Sequence, residues 1–368
     1  MKTTRRTAAV IGVLALALVG AACGSSGGSS SDTTAAGAAT TAAGSSAAPT
    51  TGGAKVSGTL QGSGSTFQAA FQEEAIADFQ KANSGTTITY GGGGSGKGRT
   101  DLKSKVVDFA GSDAPYSDTD KPTEPILYFP IMLGPITMSY NLKGVDKLQL
   151  DADTIAKIFQ AQIKTWNDPA IAADNPGVTL PSTNITVVHR SDGSGTTQNF
   201  TGWLTAAAPS TWTLKSGSTV AWPASTQAGN GNSGVAQIVS STDGAIGYVD
   251  LSDAVGAKLQ YADVKNQSGK YIEPTAESAS AAGKGITVQP DLIFAAYNSS
   301  DPAAYPITYQ TWVIVYQSQS AAKGALVKAY LSYLLSDGQD LLPDLDYAKL
   351  PDEIKSKAVA QLDQIKVG

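Results

Sequence analysis

The chain has 368 residues, 41% of them hydrophobic and 15% charged, which is enough for two ordinary domains and too apolar for a disordered protein. Its 26 Lys and Arg against 31 Asp and Glu leave a net charge of −5, without the basic excess that nucleic acid demands. One Cys and one His cannot supply a structural zinc site, a disulfide framework or a thioredoxin-type pair.

The N-terminus points to export. Lys2, Arg5 and Arg6 precede an apolar run from Ala8 to Ala22 that is too short to span a bilayer and has the layout of a signal peptide. Val19-Gly20-Ala21-Ala22-Cys23, followed by Gly24 and Ser25, looks like a bacterial lipoprotein cleavage site, with Gly20 where that motif usually has Leu. The expectation is a signal peptide over residues 1–22 and a lipid on Cys23. A plainly secreted protein whose single Cys falls at the cleavage point is the alternative. Losing residues 1–22 removes three basic residues and no acidic one, so the mature charge is −8. Residues 23–56 then form the lipidated Cys and a linker, almost entirely Gly, Ser, Thr and Ala from Gly24 to Ala54. A flexible chain of that length reaches roughly 30 Å, which suits a tether between a membrane and a globular body.

Beyond the linker, β-branched runs alternate with helical patterns, the rhythm of an α/β protein with mostly parallel strands. Phe67, Phe71, Ala75 and Phe79 recur every four residues and mark a helix that stops near Asn83-Ser84-Gly85. A strand at Thr86–Tyr90, a glycine-rich turn, a short helix after Lys97 and a strand at Val106–Ala110 follow. Ile155, Ile158 and Phe159 mark a helix, Ile185–His189 a strand, and Phe200, Trp203 and Leu204 another helix. The pattern repeats with Val235, Ile238 and Val239, then Ala245–Val249. Thr311–Tyr316 reads as a buried strand, Ala321–Leu335 as a helix and Asp352–Ile365 as a terminal one.

Three segments rich in Gly and hydroxyls each sit between a strand and a helix: Gly62-Ser63-Gly64-Ser65-Thr66, Gly93-Gly94-Ser95-Gly96 and Asp192-Gly193-Ser194-Gly195-Thr196. A helix N-terminus carries unpaired N–H groups and partial positive charge, so small residues there let an oxyanion reach backbone donors. Any one of these loops is accounted for by helix capping and a tight turn; three converging would form an anion cage. Arg190 ends a strand at the mouth of the third loop, where its guanidinium could fork onto an oxyanion while Asp192 braces it. A surface ion pair is the plain alternative. Asp113, in Gly111-Ser112-Asp113-Ala114-Pro115, ends a strand, and an Asx turn before Pro115 is its plain alternative.

Other motifs fail on inspection. Gly62-x-Gly64-x-x-Phe67 has Phe where a dinucleotide fingerprint needs its third Gly, and Gly98 replaces the magnesium-holding hydroxyl of a P-loop. Ser191–Gly195 lacks the first Gly of a nucleophile elbow. Strand alternation turns His189, the only His, to the face opposite Arg190, so it reads as a residue packed against a neighbouring helix.

With these residues in view the sequence resembles the substrate-binding proteins of the phosphate-specific ABC transporter, the PstS family. The resemblance runs from Gly58 to Ile365 and is anchored by Gly62-Ser63-Gly64-Ser65-Thr66-Phe67, Val107-Asp108-Phe109-Ala110-Gly111-Ser112-Asp113-Ala114-Pro115 and Val187-Val188-His189-Arg190-Ser191-Asp192-Gly193-Ser194-Gly195-Thr196-Thr197. It implies an α/β, two-lobed periplasmic-binding-protein-like (type II) fold with a ligand cleft between the lobes. Lobe 1 would comprise residues 57–132 plus 308–368, and lobe 2 residues 133–307. By the same resemblance Thr66, Phe67 through its backbone N–H, Ser95, Asp113, Arg190, Ser194, Gly195 and Thr196 would contact phosphate, with Asp192 behind Arg190. Lys97 stands where the family often has small residues, and would either add positive charge or point to solvent.

The implied protein is no enzyme and uses no cofactor or metal. It is a monomer held by lipid on the extracytoplasmic face of the cell membrane, delivering inorganic phosphate to a membrane permease. A secreted phosphatase, or a binding protein for sulfate, molybdate or another oxyanion, remains the competing reading. The residue inventory supplies no evident nucleophile, metal or general-base cluster for the former. Against the latter, Asp113 would suit an anion that still carries a proton.

Overall fold

The computed structural model describes residues 56–368; the expected signal peptide, Cys23 and the linker up to residue 55 lie outside them. The first unit runs β1 (Gly58–Gly64), α1 (Ala69–Ala82), β2 (Thr86–Gly91), α2 (Ser95–Lys103) and β3 (Phe109–Ser112). α1 buries Phe71, Ala75, Ile76 and Phe79, the stripe that its sequence pattern predicts. α2 begins at Ser95 rather than after Lys97, because Gly94 at φ 89 turns the chain into it. The strand expected over Val106–Ala110 lies instead at Phe109–Ser112. Lys105 closes α2 in a left-handed conformation at φ 57, which leaves Val106 63% exposed and delays the strand.

β4 (Ile126–Asn141) is a 16-residue strand that the sequence pattern does not announce. After it come β5 (Gln149–Leu150), α3 (Ala152–Phe159), α4 (Pro169–Asp174), β6 (Thr186–Arg190), α5 (Gly195–Ala207), β7 (Gln227–Gly229), α6 (Gly231–Ser241), β8 (Ala245–Asp250) and α7 (Leu251–Gly256). The remainder is β9 (Gln260–Lys265), β10 (Tyr271–Ile272), α8 (Ala276–Ala282), β11 (Thr308–Tyr316), β12 (Ser318–Gln319), α9 (Ala321–Leu335), α10 (Asp352–Gln361) and β13 (Lys366–Val367). α9 has the bounds that the sequence predicts, whereas α10 stops at Gln361 and passes into a 3₁₀ turn, Leu362–Gln364, short of the expected Ile365.

The main sheet has the order β2-β1-β3-β11-β4-β8-β6-β7. Its two ends are parallel, as expected: β1 pairs with β2 and β3, and β6 with β7 and β8. The centre is not, because β11 runs antiparallel to β3 and β4, and β4 antiparallel to β8. The helix–strand alternation that predicts parallel pairing holds inside each end; the long strands joining the ends obey no local rhythm. Pro130, Gly134 and Pro135 hide β4 from a sequence reading, since each ordinarily interrupts a strand. Trp312 pairs with Pro130 and Thr311 with Met132, so Ile131 is the extra residue of a bulge, which accommodates the missing N–H of Pro130. A Cβ on Gly134 would stand 2.8 Å from the Phe67 ring, so glycine here lets that ring lie on the strand. One hydrophobic core follows the sheet from Leu60 and Phe71 through Phe129 and Trp312 to Phe200 and Tyr248.

Candidate functional site

Parallel strands end on a common edge, and the loops beyond that edge are where α/β sheets place their ligands. The loops after β1, β2 and β6 meet there. Gly94 N–H donates to Gly64 O at 2.9 Å, and Gly96 N–H donates to Gly193 O at 2.8 Å. A fourth glycine-rich loop, between β7 and α6, joins them: Asn232 N–H donates to Thr66 Oγ1 at 3.3 Å. The convergence expected of three loops is therefore made by four.

Asp113 follows β3 and is 2% exposed. Its Oδ1 accepts from Ser65 Oγ at 2.5 Å and Thr311 Oγ1 at 2.7 Å, and its Oδ2 from Ser95 Oγ at 3.2 Å. The turn before Pro115 is made by Ser112 instead, whose Oγ accepts from Ala114 N–H at 3.4 Å and donates to Ala114 O at 2.6 Å. The Asx-turn alternative is thus not what the fold uses Asp113 for. Burial pushes the Asp113 carboxyl up from its usual value, against the pull of the Ser65 and Thr311 hydroxyls and of Arg190.

Arg190 closes β6 with its side chain turned inward and 1% exposed, so the surface-pair alternative does not describe it. Nε and Nη2 donate to the two Asp192 oxygens at 2.8 and 2.6 Å, a forked pair. Nη1 donates to Asn232 Oδ1 at 2.6 Å and Thr196 Oγ1 at 3.3 Å. Burial works against charge on both partners, but their mutual hydrogen bonds and attraction win: Arg190 is held above and Asp192 below the ordinary value. Asn232 also donates to Asp250 at 2.5 Å, and burial together with Asp253 pushes that carboxyl well up.

The remaining predicted residues are gathered at the same place. Phe67 is fully buried against Tyr309 and Tyr347, with ring centroids 4.0 and 5.2 Å away, and its N–H donates to Ser65 Oγ at 3.1 Å. Ser194 caps α5 by accepting from Thr197 N–H at 3.0 Å. Gly195 lies against Ser95 and Asp113, where a Cβ would come within 2.6 Å of the Asp113 side chain. Thr196 Oγ1 donates to Asn232 Oδ1 at 3.3 Å. Lys97 pairs with Asp101 one turn along α2 and stays exposed, the solvent-facing choice of the two. His189 stacks on Trp222 at 5.1 Å, and Trp222 belongs to a loop rather than to the helix expected there.

Sequence reasoning missed Asn232, Thr311, Tyr309 and the carboxylate-binding hydroxyl of Ser65. Gly229-Asn230-Gly231-Asn232 is as glycine-rich as the other loops and has their strand-to-helix placement, with Asn where they carry hydroxyls, and that signal could have found it. Thr311 stands 198 positions from Asp113 and carries no local signal.

The sequence and the fold are similar to those of known proteins. Residues 49–338 match the family model described as the PBP superfamily domain. The chain is 36% identical to phosphate-binding protein PstS 3 of Mycobacterium leprae over 81% of its own length and 85% of that protein. It is 36% identical to phosphate-binding protein PstS 3 of Mycobacterium tuberculosis (strain ATCC 25618 / H37Rv) over 98% and 99%. A solved high-affinity periplasmic phosphate-binding protein, bound with phosphate, superposes with a TM-score of 0.70 over 82% of this chain and 93% of the other at 22% identity, which speaks to the fold. With α/β architecture, loops and sequence in agreement, the chain belongs to the PstS family of phosphate-binding proteins and has the two-lobed periplasmic-binding fold.

Proposed function

We propose that this protein binds inorganic phosphate outside the cytoplasm and delivers it to an ABC-type importer. One observation carries this reading. A buried cation and a buried acid share one set of loops without pairing to each other: Arg190 is held by Asp192, and Asp113 by three hydroxyls. An oxyanion that still bears a proton satisfies both, taking donors from the Arg190 side and giving its proton to Asp113. The contacts we assign are Thr66, Phe67 N–H, Ser95, Asp113, Arg190, Ser194, Gly195 and Thr196, with Asp192 bracing Arg190. Fixed dipoles in a dry cleft let a chain with an acidic balance bind an anion.

Residues 57–132 plus 308–368 form lobe 1 and residues 133–307 lobe 2 in this proposal. Its support is that β4 pairs with β11 up to Pro135 and with β8 from Ile136 onward. The proposed protein is a binding protein without a catalytic group, a monomer tethered to the membrane through lipid on Cys23, with a membrane permease as its partner. Calorimetric titration of the soluble body tests the function. Tight binding of phosphate with weak binding of sulfate is expected, and tighter sulfate binding, or turnover of a chromogenic phosphate ester, would replace this reading.

A further inference from the structure

Beneath Asp113 the core holds polar side chains that anion binding does not call on. Gln68, Gln72, Thr311 and Tyr330 are all buried, though they sit on α1 or its entrance, β11 and α9. They form a single file. Tyr330 OH donates to Gln72 Oε1 at 2.7 Å, Gln72 Nε2 to Gln68 Oε1 at 2.8 Å, Gln68 Nε2 to Thr311 Oγ1 at 2.6 Å and Thr311 Oγ1 to Asp113 Oδ1 at 2.7 Å.

One backbone group sets the direction of the whole file. Gln68 Nε2 also lies 3.2 Å from the carbonyl oxygen of Trp312, which can only accept, so the nitrogen end of this amide faces β11. Thr311 therefore accepts from Gln68 and has its one proton left to give. Asp113 Oδ1 at 2.7 Å takes it in preference to Ser112 O at 3.4 Å. In the other direction Gln68 can offer only its oxygen to Gln72, and Gln72 only its oxygen to Tyr330. Every proton in the file points toward Asp113, and each bond polarises the next. With Ser65 as a second donor, Oδ1 has both lone pairs engaged, whereas Oδ2 has Ser95 alone at 3.2 Å.

We propose that Gln68, Gln72 and Tyr330 are positioning residues that act through Thr311: they saturate Oδ1, hold Asp113 as an acceptor and leave Oδ2 as the oxygen offered to a proton-bearing oxyanion. The proposal rests on the phosphate reading above and assigns part of its selectivity to buried groups that never touch the anion. The charged and titratable groups around Asp113 are Arg190 across the loops, Arg99 on α2 behind the Ser112–Ala114 turn, and the phenols of Tyr90, Tyr309 and Tyr347. Burial already drives the Asp113 carboxyl upward and the Thr311 bond opposes it, so breaking the file lifts it further.

The test uses Gln68→Met, Gln72→Met and Tyr330→Phe, which keep volume and remove successive links. The Asp113 carboxyl is titrated by carbon-13 NMR in the ligand-free protein, and phosphate affinity and sulfate competition are measured by calorimetry between pH 5 and 8. Gln68→Met should raise the Asp113 midpoint by about one pH unit and narrow the phosphate-over-sulfate preference about tenfold. Tyr330→Phe should move both readouts the same way by less. A folded Gln68→Met or Tyr330→Phe protein whose Asp113 midpoint is that of the wild type overturns the proposal. So does an equal loss of phosphate and sulfate affinity with the midpoint unmoved. Failure of the wild type to bind phosphate sinks the phosphate reading instead, and the ligand-free carboxyl titration still decides the file.

Discussion

Gly195, the first residue of α5, packs its backbone against the side chain of Asp113 so closely that a Cβ would stand 2.6 Å away. Alanine favours a helix over glycine, so α5 itself gains from Gly195→Ala. The loss falls where α5 meets Ser95 and Asp113. Overpacking costs roughly 1–3 kcal/mol, so phosphate affinity should fall about 5- to 150-fold. The contact is present in the described structure, so the melting temperature should fall as well. Calorimetry and a thermal melt of the same sample check both, and unchanged affinity would show that α5 does not close on Asp113 in the bound state.

Asp113→Asn replaces an acceptor with an amide that can donate, in nearly the same volume. A site built round one obligatory hydrogen bond can reject an analogue lacking the partner by roughly 10⁴ to 10⁵. The variant should narrow the phosphate-over-sulfate preference more than Ser95→Ala or Thr66→Ala does. Sulfate competition is the measurement, and a competitor as weak as before would remove Asp113 from the role of proton reader.

Arg190→Ala takes away charge-assisted bonds individually worth roughly 1.5–3 kcal/mol, so affinity should drop about 10- to 150-fold rather than vanish. It also strands Asp192, and breaking a buried pair costs about 3–5 kcal/mol, so the melting temperature should fall as well. Because the folded Asp192 sits below its ordinary 3.8, the pair's contribution is fully present above that value and is lost as pH falls through the folded one. The stability gap between wild type and Asp192→Asn should therefore shrink on acidification. Chemical denaturation at neutral and acid pH reads it directly.

Tyr309 carries a buried hydroxyl that lies beside Thr196 without a well-formed hydrogen bond among the described residues. Leaving such a group buried costs roughly 1–3 kcal/mol. Tyr309→Phe keeps the ring contact with Phe67 and should raise the stability of the ligand-free protein by about 1 kcal/mol. A drop in denaturation midpoint would reveal a partner for that hydroxyl.

Cys23→Ser should release the protein into the medium with phosphate binding intact. Fractionation of cells decides it, and a cleaved variant that still sediments with membranes would rule out lipid anchoring at this residue.

The sequence was most informative where chemistry is local. The Gly- and hydroxyl-rich loops, Arg190 with Asp192 two residues on, and α9 with its unbroken helical pattern each declare themselves within a few positions. Asp113 was visible as a candidate, but its partner Thr311 comes from a strand 198 residues away, which no local pattern encodes. β4 stayed hidden because a bulge reconciles Pro130 with a paired strand, and that reconciliation exists only in the presence of β11. The antiparallel centre of the sheet escaped for the same reason. Asn232 alone was within reach, in a fourth glycine-rich loop placed between strand and helix like the other three.

β4 does not stop where its neighbours change. It runs on through Pro135 and Ile136, and Ile136 N–H donates to Ile307 O at 2.8 Å, tying it to the chain entering β11. The two connections between the halves of the sheet thus lie side by side as one hydrogen-bonded ribbon, unlike a loose swivel. On the proposed division into lobes, any parting of the two would bend this ribbon along its length, since β4 and the chain entering β11 are held to each other by backbone hydrogen bonds.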